Sequence, residues 1–185
     1  MTTSASKARP ESNEYLSYYN RYVTLVPEGD IMATLATQME ETLQLLRGID
    51  EAKAGERYAP GKWSIKELVG HLIDTERIFS YRALRFARND PNPLTGFDQD
   101  DYVRGANFDD RALAQLADEF EYVRRSSIKL FEPLSADAWD RRGPANGDEV
   151  SVRALAFIIA GHELHHMNVL KTRYLQGKSS AQAPV

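Results

Sequence analysis

The sequence predicts an all-α protein folded as a four-helix bundle, and three observations lead to this prediction. Four segments of roughly 17–25 residues carry apolar residues at spacings of three and four, the pattern of a helix that buries one face. Links containing proline and glycine separate these segments, and no run of residues is typical of a strand. A chain of 185 residues is long enough for one domain with a sizeable core. We therefore expect four packed helices, with two links long enough to cross the bundle.

The composition excludes several classes of protein. The net charge is −4 with acidic and basic residues interspersed, which argues against a nucleic-acid partner because that needs a basic stripe. No apolar run approaches the ~18 residues of a membrane span, and the polar N-terminus lacks a secretory signal. The chain has no cysteine, which excludes disulfides, thiolate ligands and a thiol nucleophile of its own. We expect a cytoplasmic protein without a membrane partner.

The termini and the first helix follow from composition and capping. The composition of residues 1–13 predicts a disordered N-terminal tail, and residues 178–185 are expected to form a frayed C-terminal tail. The domain is expected to span residues 14–177. Tyrosines give residues 14–27 an aromatic face that would pack as a strap across the domain. Asp30 is the expected N-cap of a first helix over 31–47.

A capping box predicts the start of the second helix. Ser64 is followed three residues later by Glu67, and the helix is expected over 65–88, before Pro91. His71 lies within its apolar arc, and Thr75, one turn later, could line a pocket. The charged residues of the same helix are expected at solvated positions or in i,i+4 pairs, with support of a metal ligand as the alternative; they are Asp74, Glu76 and Arg82.

The remaining elements are two links and two helices. Residues 91–108 are expected to form a structural crossover or, as the alternative, a lid over a site. Asp109 or Asp110 would cap a third helix that runs to Phe131. The fourth helix is expected over 151–175, ending near Gly177.

Histidine is scarce but clustered, and this clustering predicts a metal site. Three of the four histidines lie between residues 162 and 166. The apolar seam of the fourth helix continues through His162 and His166, so these two imidazoles lie one turn apart on one face. His71 would add a third nitrogen from another inner face, and three histidines with an open position are typical of a catalytic divalent-metal site. The seam favours His166 over His165 as the ligand, although spacing alone leaves His165 open.

The donor set fits zinc, nickel, iron or cobalt and does not choose among them. Such a metal would lower the pKa of a bound water from ~15.7 to about 7, and would likewise activate a bound thiol. Because the chain has no cysteine, that thiol would come from a co-substrate.

A second motif overlaps the cluster. Residues 162–166 match H-E-x-x-H, the zinc-protease signature in which Glu163 would be the general base. Those enzymes usually take their third ligand downstream, yet no His, Glu or Asp follows His166. The protease interpretation is therefore disfavoured, and Glu163 stays a weak catalytic candidate, with a solvated helix residue as its alternative.

Three stretches resemble the DinB-like family of metal-binding four-helix bundles, which is related to bacillithiol transferases. Residues 63–76, WSIKELVGHLIDTE, resemble its W-S-x-x-E-x-x-x-H-x-x-D-x-E stretch, and residues 96–102, GFDQDDY, resemble its central segment. Residues 151–166 resemble its last helix, and the likeness extends over roughly 15–176. The resemblance implies metal ligands at His71, His162 and His166, an up-down-down-up order of helices, and a homodimer.

What the resemblance implies about the reaction is broader. Relatives include thiol-dependent S-transferases, and many others are described only as metal-dependent hydrolases, so the family fixes the site better than the chemistry. We predict a metal-dependent enzyme that uses a low-molecular-weight thiol or water to attack a small electrophile. The alternatives are a non-catalytic metal- or ligand-binding stress protein, and a structural bundle with no metal.

Overall fold

Four long helices dominate the computed structural model, which describes residues 7–176. The helices and strands are α1 (Asn20–Val23), α2 (Ile31–Arg47), α3 (Glu51–Ala54), α4 (Ile65–Ala87), α5 (Gln99–Ala106), α6 (Leu113–Phe131), α7 (Ala136–Asp140), β1 (Arg142–Ala145), β2 (Asp148–Ser151) and α8 (Val152–Val169). Short 3₁₀ turns occupy Ser17–Tyr19 and Phe108–Asp110, and α8 continues as a π-helical turn over Leu170–Leu175. The predicted all-α bundle is confirmed, because α2, α4, α6 and α8 form it and the small sheet lies outside it.

The order of the helices around the bundle requires a crossover. Helix α4 packs against α6 and α8, and α2 packs against the same two partners. The contacts between α4 and α6 run in the same direction along both helices, from Glu76–Arg124 to Ser80–Ser127, so these two long helices are parallel. Helices α2 and α8 are also parallel, since Gln38 reaches the Ala160 carbonyl and Thr42 reaches Glu163. The result is the up-down-down-up order that the resemblance implied, and the link between α4 and α6 must return along the bundle.

Polar caps start the long helices at the predicted places, with one exception. The Asp30 side chain accepts from Met32 N at the start of α2, and Ser64 and Glu67 form the predicted capping box of α4. Helix α6 is different, because it begins at Leu113 after Ala112, while Asp109 and Asp110 lie in the preceding 3₁₀ turn. The predicted cap of the third helix is therefore wrong. Asp109 instead accepts from the Ser64 hydroxyl at 2.5 Å and pairs with Arg57 at 2.9 Å, so its carboxylate binds the segment that leads into α4.

A short hairpin precedes α8, which corrects the expectation of no strands. β1 and β2 pair antiparallel with Gly143 opposite Val150, and the turn between them contains Asn146 and Gly147 at positive φ. An Asn-Gly pair favours this kind of two-residue turn because both positions accept positive φ. The strands are too short to show an alternating pattern, which explains why the sequence did not predict them.

The N-terminal segment is attached more firmly than the sequence predicted. Arg9 donates to the Val23 and Val26 carbonyls at 2.5 and 2.6 Å, so part of the expected 1–13 tail lies against the bundle. Glu14 accepts from the Ser151 hydroxyl at 2.6 Å and from Arg153 at 2.7 Å. These contacts hold residues 14–27 across the start of α8 as the predicted strap. The expected frayed tail, with Gly177, lies outside the described residues.

A layer of polar side chains divides the core into two apolar clusters. On α4 the layer falls between Leu68 of one cluster and Phe79 of the other, and on α8 between Met167 and Ile159. All four long helices contribute to it, and its buried members are Gln38, Thr42, His71, Thr75, Glu76, Arg124, Ser127, His162 and Glu163. Buried polar groups must find partners, so this layer is where specific chemistry is expected. Within residues 7–176 no helix is long and apolar enough to cross a membrane.

Candidate metal centre

Three histidines converge inside this polar layer. The Nε2 atoms of His71 and His162 lie 3.0 Å apart, and those of His162 and His166 lie 3.1 Å apart. Within residues 7–176 these three form a group whose ligating atoms all lie within 4.8 Å of one another, and no fourth His, Asp or Glu joins it. The α4–α8 packing brings His71 to the pair on α8, as the sequence predicted.

Burial keeps these imidazoles neutral, which is the form that binds a metal. Burial lowers the pKa of His71 to about 4. It lowers the pKa of His166 to about 2, with smaller contributions from His71 and His165. His162 has its pKa lowered well below 6.5, first by burial and then by the neighbouring histidines. The protein therefore holds three nitrogen lone pairs ready at neutral pH.

His165 lies outside the cluster. Its ring packs edge-on against Tyr22 at 5.5 Å and against His166 at 5.0 Å, and its side chain is half-buried. The helical seam distinguishes the two candidates because His166 is one turn from His162 whereas His165 is rotated off that face. Of the two residues that the sequence left open, His166 is the one the geometry places in the group.

Aromatic side chains and one glycine fix the positions of the imidazoles. The Trp63 ring lies 4.7 Å from the His71 ring, and Tyr22 lies 5.2 Å from His162. Tyr22 approaches this closely because Gly161 has no side chain: a Cβ there would lie 2.0 Å from the Tyr22 carbonyl oxygen. The Thr75 hydroxyl lies 3.4 Å from Nδ1 of His71, one turn along α4.

A cavity of about 260 Å³ opens onto the cluster. Its wall comes from the strap, α4, the link between α4 and α6, the hairpin turn and α8, and consists of Tyr18, Tyr19, Tyr22, His71, Thr75, Phe79, Arg82, Gly96, Phe97, Asp98, Gln99, Asn146 and His162. Thr75 lines it as predicted, and the Gly96–Gln99 part of the link forms one side. The volume falls just below the ~300–1,000 Å³ of common ligand sites, so it suits a small molecule.

Glu163 belongs to a different part of the polar layer and does not line the cavity. Its carboxylate accepts from the Thr42 hydroxyl at 2.6 Å and contacts Arg124 Nη1 at 2.7 Å. Arg124 also binds both oxygens of Glu76, at 2.8 and 2.9 Å. The sequence placed Glu163 and Glu76 most simply in solvent, and this was wrong because both lie buried against one arginine.

This buried network carries two carboxylates and one cation. Burial raises the pKa of Glu163 and Glu76 raises it further, while Arg124 and Thr42 lower it, with a net upward shift. Burial alone would lower the pKa of Arg124, but the two carboxylates raise it above its ordinary value. Arg124 therefore stays positively charged, and the carboxylates of Glu76 and Glu163 together balance that charge.

The donor set fits a divalent transition metal. Zinc–nitrogen bonds of about 2.0–2.1 Å at a tetrahedral angle place two ligand nitrogens about 3.3–3.4 Å apart, close to the 3.0 and 3.1 Å found here. Without an ion, three neutral Nε2 atoms at these distances could satisfy one another only in part, since each neutral ring carries a single N–H. The chemistry and spacing of the residues therefore suit a bound cation.

The fold and the cluster define a class: a crossed four-helix bundle that holds a three-histidine group in its interior, with His71 and His162 buried and His166 half-buried. The sequence profile of the DinB superfamily matches residues 34–170, and the chain belongs to that superfamily. Among solved structures it is similar to YfiT from Bacillus subtilis, described as a probable metal-dependent hydrolase with an unusual four-helix bundle topology. The two share a TM-score of 0.66 at 10% identity, over 89% of this chain and 90% of that one, which shows a common fold. No curated protein matches the chain.

Proposed function

We propose that this protein is a divalent-metal-dependent enzyme that transfers a low-molecular-weight thiol, or water, onto a small electrophilic molecule. One observation carries the proposal: three neutral imidazoles form one group, two of them (His71 and His162) line a cavity, and no fourth protein ligand from residues 7–176 completes the group. A structural zinc site usually has four protein ligands, whereas three leave room for a reactant. His71, His162 and His166 would hold the ion.

The bound ion would supply Lewis acidity, which lowers the pKa of a coordinated water or thiol and polarises the electrophile. The side chains of the protein orient the three histidines and form the surroundings of the ion. Trp63 and Tyr22 pack against the imidazoles of His71 and His162 and limit their rotation, and aromatic side chains form part of the cavity wall beside them. In thiol transfer a new S–C bond forms, the leaving group departs with the electron pair of its bond to carbon, and the thiol proton passes to solvent.

Metal binding is tested first, on protein purified without a histidine tag. Elemental analysis and competition with a chromophoric chelator should give one ion per chain for the wild type. His71→Ala should weaken binding by at least about a hundredfold, since it removes one of three ligands. His165→Ala is the matched control, because His165 is the neighbour of His166 but lies outside the group, and it should bind the ion as the wild type does.

Turnover is tested with the metal-loaded protein, an alkylating electrophile and a series of thiols, and separately with activated esters for hydrolysis. Product formation should depend on the ion and disappear in His71→Ala while persisting in His165→Ala. Metal binding without turnover would instead support the non-catalytic alternative. Absence of metal binding by the wild type would reject both.

A further inference from the structure

We propose that Arg82 binds a carboxylate of the substrate inside the cavity beside the three histidines. This inference deepens the proposed function, since it names the chemical class that the same cavity accepts. Arg82 lines the cavity on α4, about three turns from His71, and is only 4% exposed. The sequence predicted a solvated or paired residue here, and the structure corrects that prediction.

Arg82 is a buried cation with no carboxylate partner in the part of the chain that the structure describes. Its Nη2 donates to the Thr95 carbonyl at 3.0 Å, and its guanidinium lies 5.5 Å from the centre of the Phe79 ring. Within residues 7–176 no Asp or Glu forms an ion pair with it. The remaining residues, 1–6 and 177–185, contain no Asp or Glu.

The comparison with Arg124 shows why this is unusual. Both arginines are buried, but Arg124 binds two carboxylates, whereas Arg82 has a backbone carbonyl and the Tyr19 hydroxyl. A buried charge is costly unless it is paired, and burial lowers the pKa of Arg82 in spite of Tyr19. A guanidinium with unused N–H groups at a cavity wall is suited to bind a carboxylate through two parallel hydrogen bonds.

The surroundings agree with an anionic ligand that has an apolar body. Tyr19, Phe79 and Phe97 supply aromatic wall, and Asn146 supplies an amide. A second cation, Arg21, lies 3.8 Å over the ring of Tyr18, which lines the cavity. The cavity also contains one carboxylate, Asp98, but its Oδ1 is engaged in capping α5 through two backbone N–H groups.

Direct binding tests the inference without requiring activity. Metal-free wild-type protein is titrated with benzoate and with benzamide, which have the same shape but differ in charge, by isothermal calorimetry. Benzoate should bind at least about tenfold more tightly, because one charge-assisted pair is worth that much. Arg82→Gln should abolish the preference, Arg82→Lys should keep part of it, and the exposed control Arg125→Gln should retain it fully.

Two results would overturn the inference. One is equal binding of benzoate and benzamide by the wild type, and the other is an unchanged preference in a folded Arg82→Gln protein. If Arg82→Gln does not fold, a crystal structure of the wild type soaked with benzoate decides. The carboxylate should lie within hydrogen-bonding distance of the Arg82 guanidinium, and a carboxylate elsewhere would reject the assignment.

A second series shows whether the carboxylate belongs to the thiol or to the electrophile. Turnover rates of metal-loaded wild type and Arg82→Gln are measured with two pairs of reactants. The thiol pair is 3-mercaptopropionate and 2-mercaptoethanol, and the electrophile pair is iodoacetate and iodoacetamide. Loss of discrimination within one pair assigns the carboxylate to that reactant, and retained discrimination in both pairs rejects a role for Arg82 in turnover. Failure of the proposed function removes turnover altogether but leaves the metal-free binding result intact, so the two failures are distinguishable.

Discussion

Replacing Arg124 with methionine should destabilise the protein more than any single surface substitution. Arg124 is fully buried and makes three contacts shorter than 3 Å with the carboxylates of Glu76 and Glu163, and a fourth with the Leu35 carbonyl at 3.2 Å. Three charge-assisted contacts would sum to about 4–9 kcal/mol, but much of that is offset by the desolvation of the ions. Removing one partner of a buried pair costs about 3–5 kcal/mol, because the other charges are left without compensation.

The assay is urea unfolding of metal-free protein at neutral pH, followed by circular dichroism. Arg125→Met is the matched control, since Arg125 is the next residue on α6, is exposed, and pairs with Glu121 at 2.8 Å. An exposed pair of this kind contributes about 0.2–1 kcal/mol. Equal losses of unfolding free energy in the two variants would refute the view that the polar layer is held together by Arg124. Adding Glu76→Leu and Glu163→Leu to Arg124→Met should restore at least half of the loss, because no buried charge then remains in the Arg124 network.

Three further predictions concern the histidine cluster and the residues packed around it. Gly161→Ala should lower the free energy of unfolding by about 1–3 kcal/mol or more, because the added Cβ would lie 2.0 Å from the Tyr22 backbone. The control is Gly55→Ala, whose added Cβ would have no atom within 4 Å, and its stability should stay within about 0.5 kcal/mol of wild type. Thermal unfolding measures both variants. Glu14→Gln should cost about 1.5–3 kcal/mol by weakening the charged contacts of the strap, with chelator-measured metal affinity changed less than tenfold; a stability equal to wild type would contradict this. Acidification should destabilise the metal-free protein between pH 6.5 and about 4, because the unfolded chain protonates His71 at its ordinary pKa while burial lowers the folded pKa to about 4. The slope from this residue is at most about 1.4 kcal/mol per pH unit, and an identical slope for His71→Gln in urea titrations would count against it.

Much of the helical framework was predictable because its signals are local. Asp30 and the Ser64–Glu67 capping box mark helix starts through hydrogen bonds within a few residues, and the structure confirms both. The start of α6 was not predictable in this way, because Asp109 is used by Ser64 and Arg57 from distant parts of the chain.

The histidine cluster was predictable because its members sit on apolar seams, where a polar residue needs a special reason. The helical spacing of His162 and His166 gave one half of the site, and the position of His71 within the arc of α4 gave the other. Arg82, Glu76 and Arg124 offered no such signal, since a charged residue on a helix is usually solvated. Their burial depends on which helices pack together and in which direction, and α4 and α6 pack in parallel because the link between them returns along the bundle.

The sequence by itself determined the four amphipathic helices, most of their ends and the three histidines that face inward, since each depends on spacing along one helix. Only the tertiary structure decided that the core is crossed by a polar layer in which Arg124 compensates two glutamates while Arg82 faces the cavity beside the histidines. The physical reason is that a charge pairs across helices, over separations of 48 residues for Glu76 and Arg124, and such pairing is fixed by the order of the helices in space.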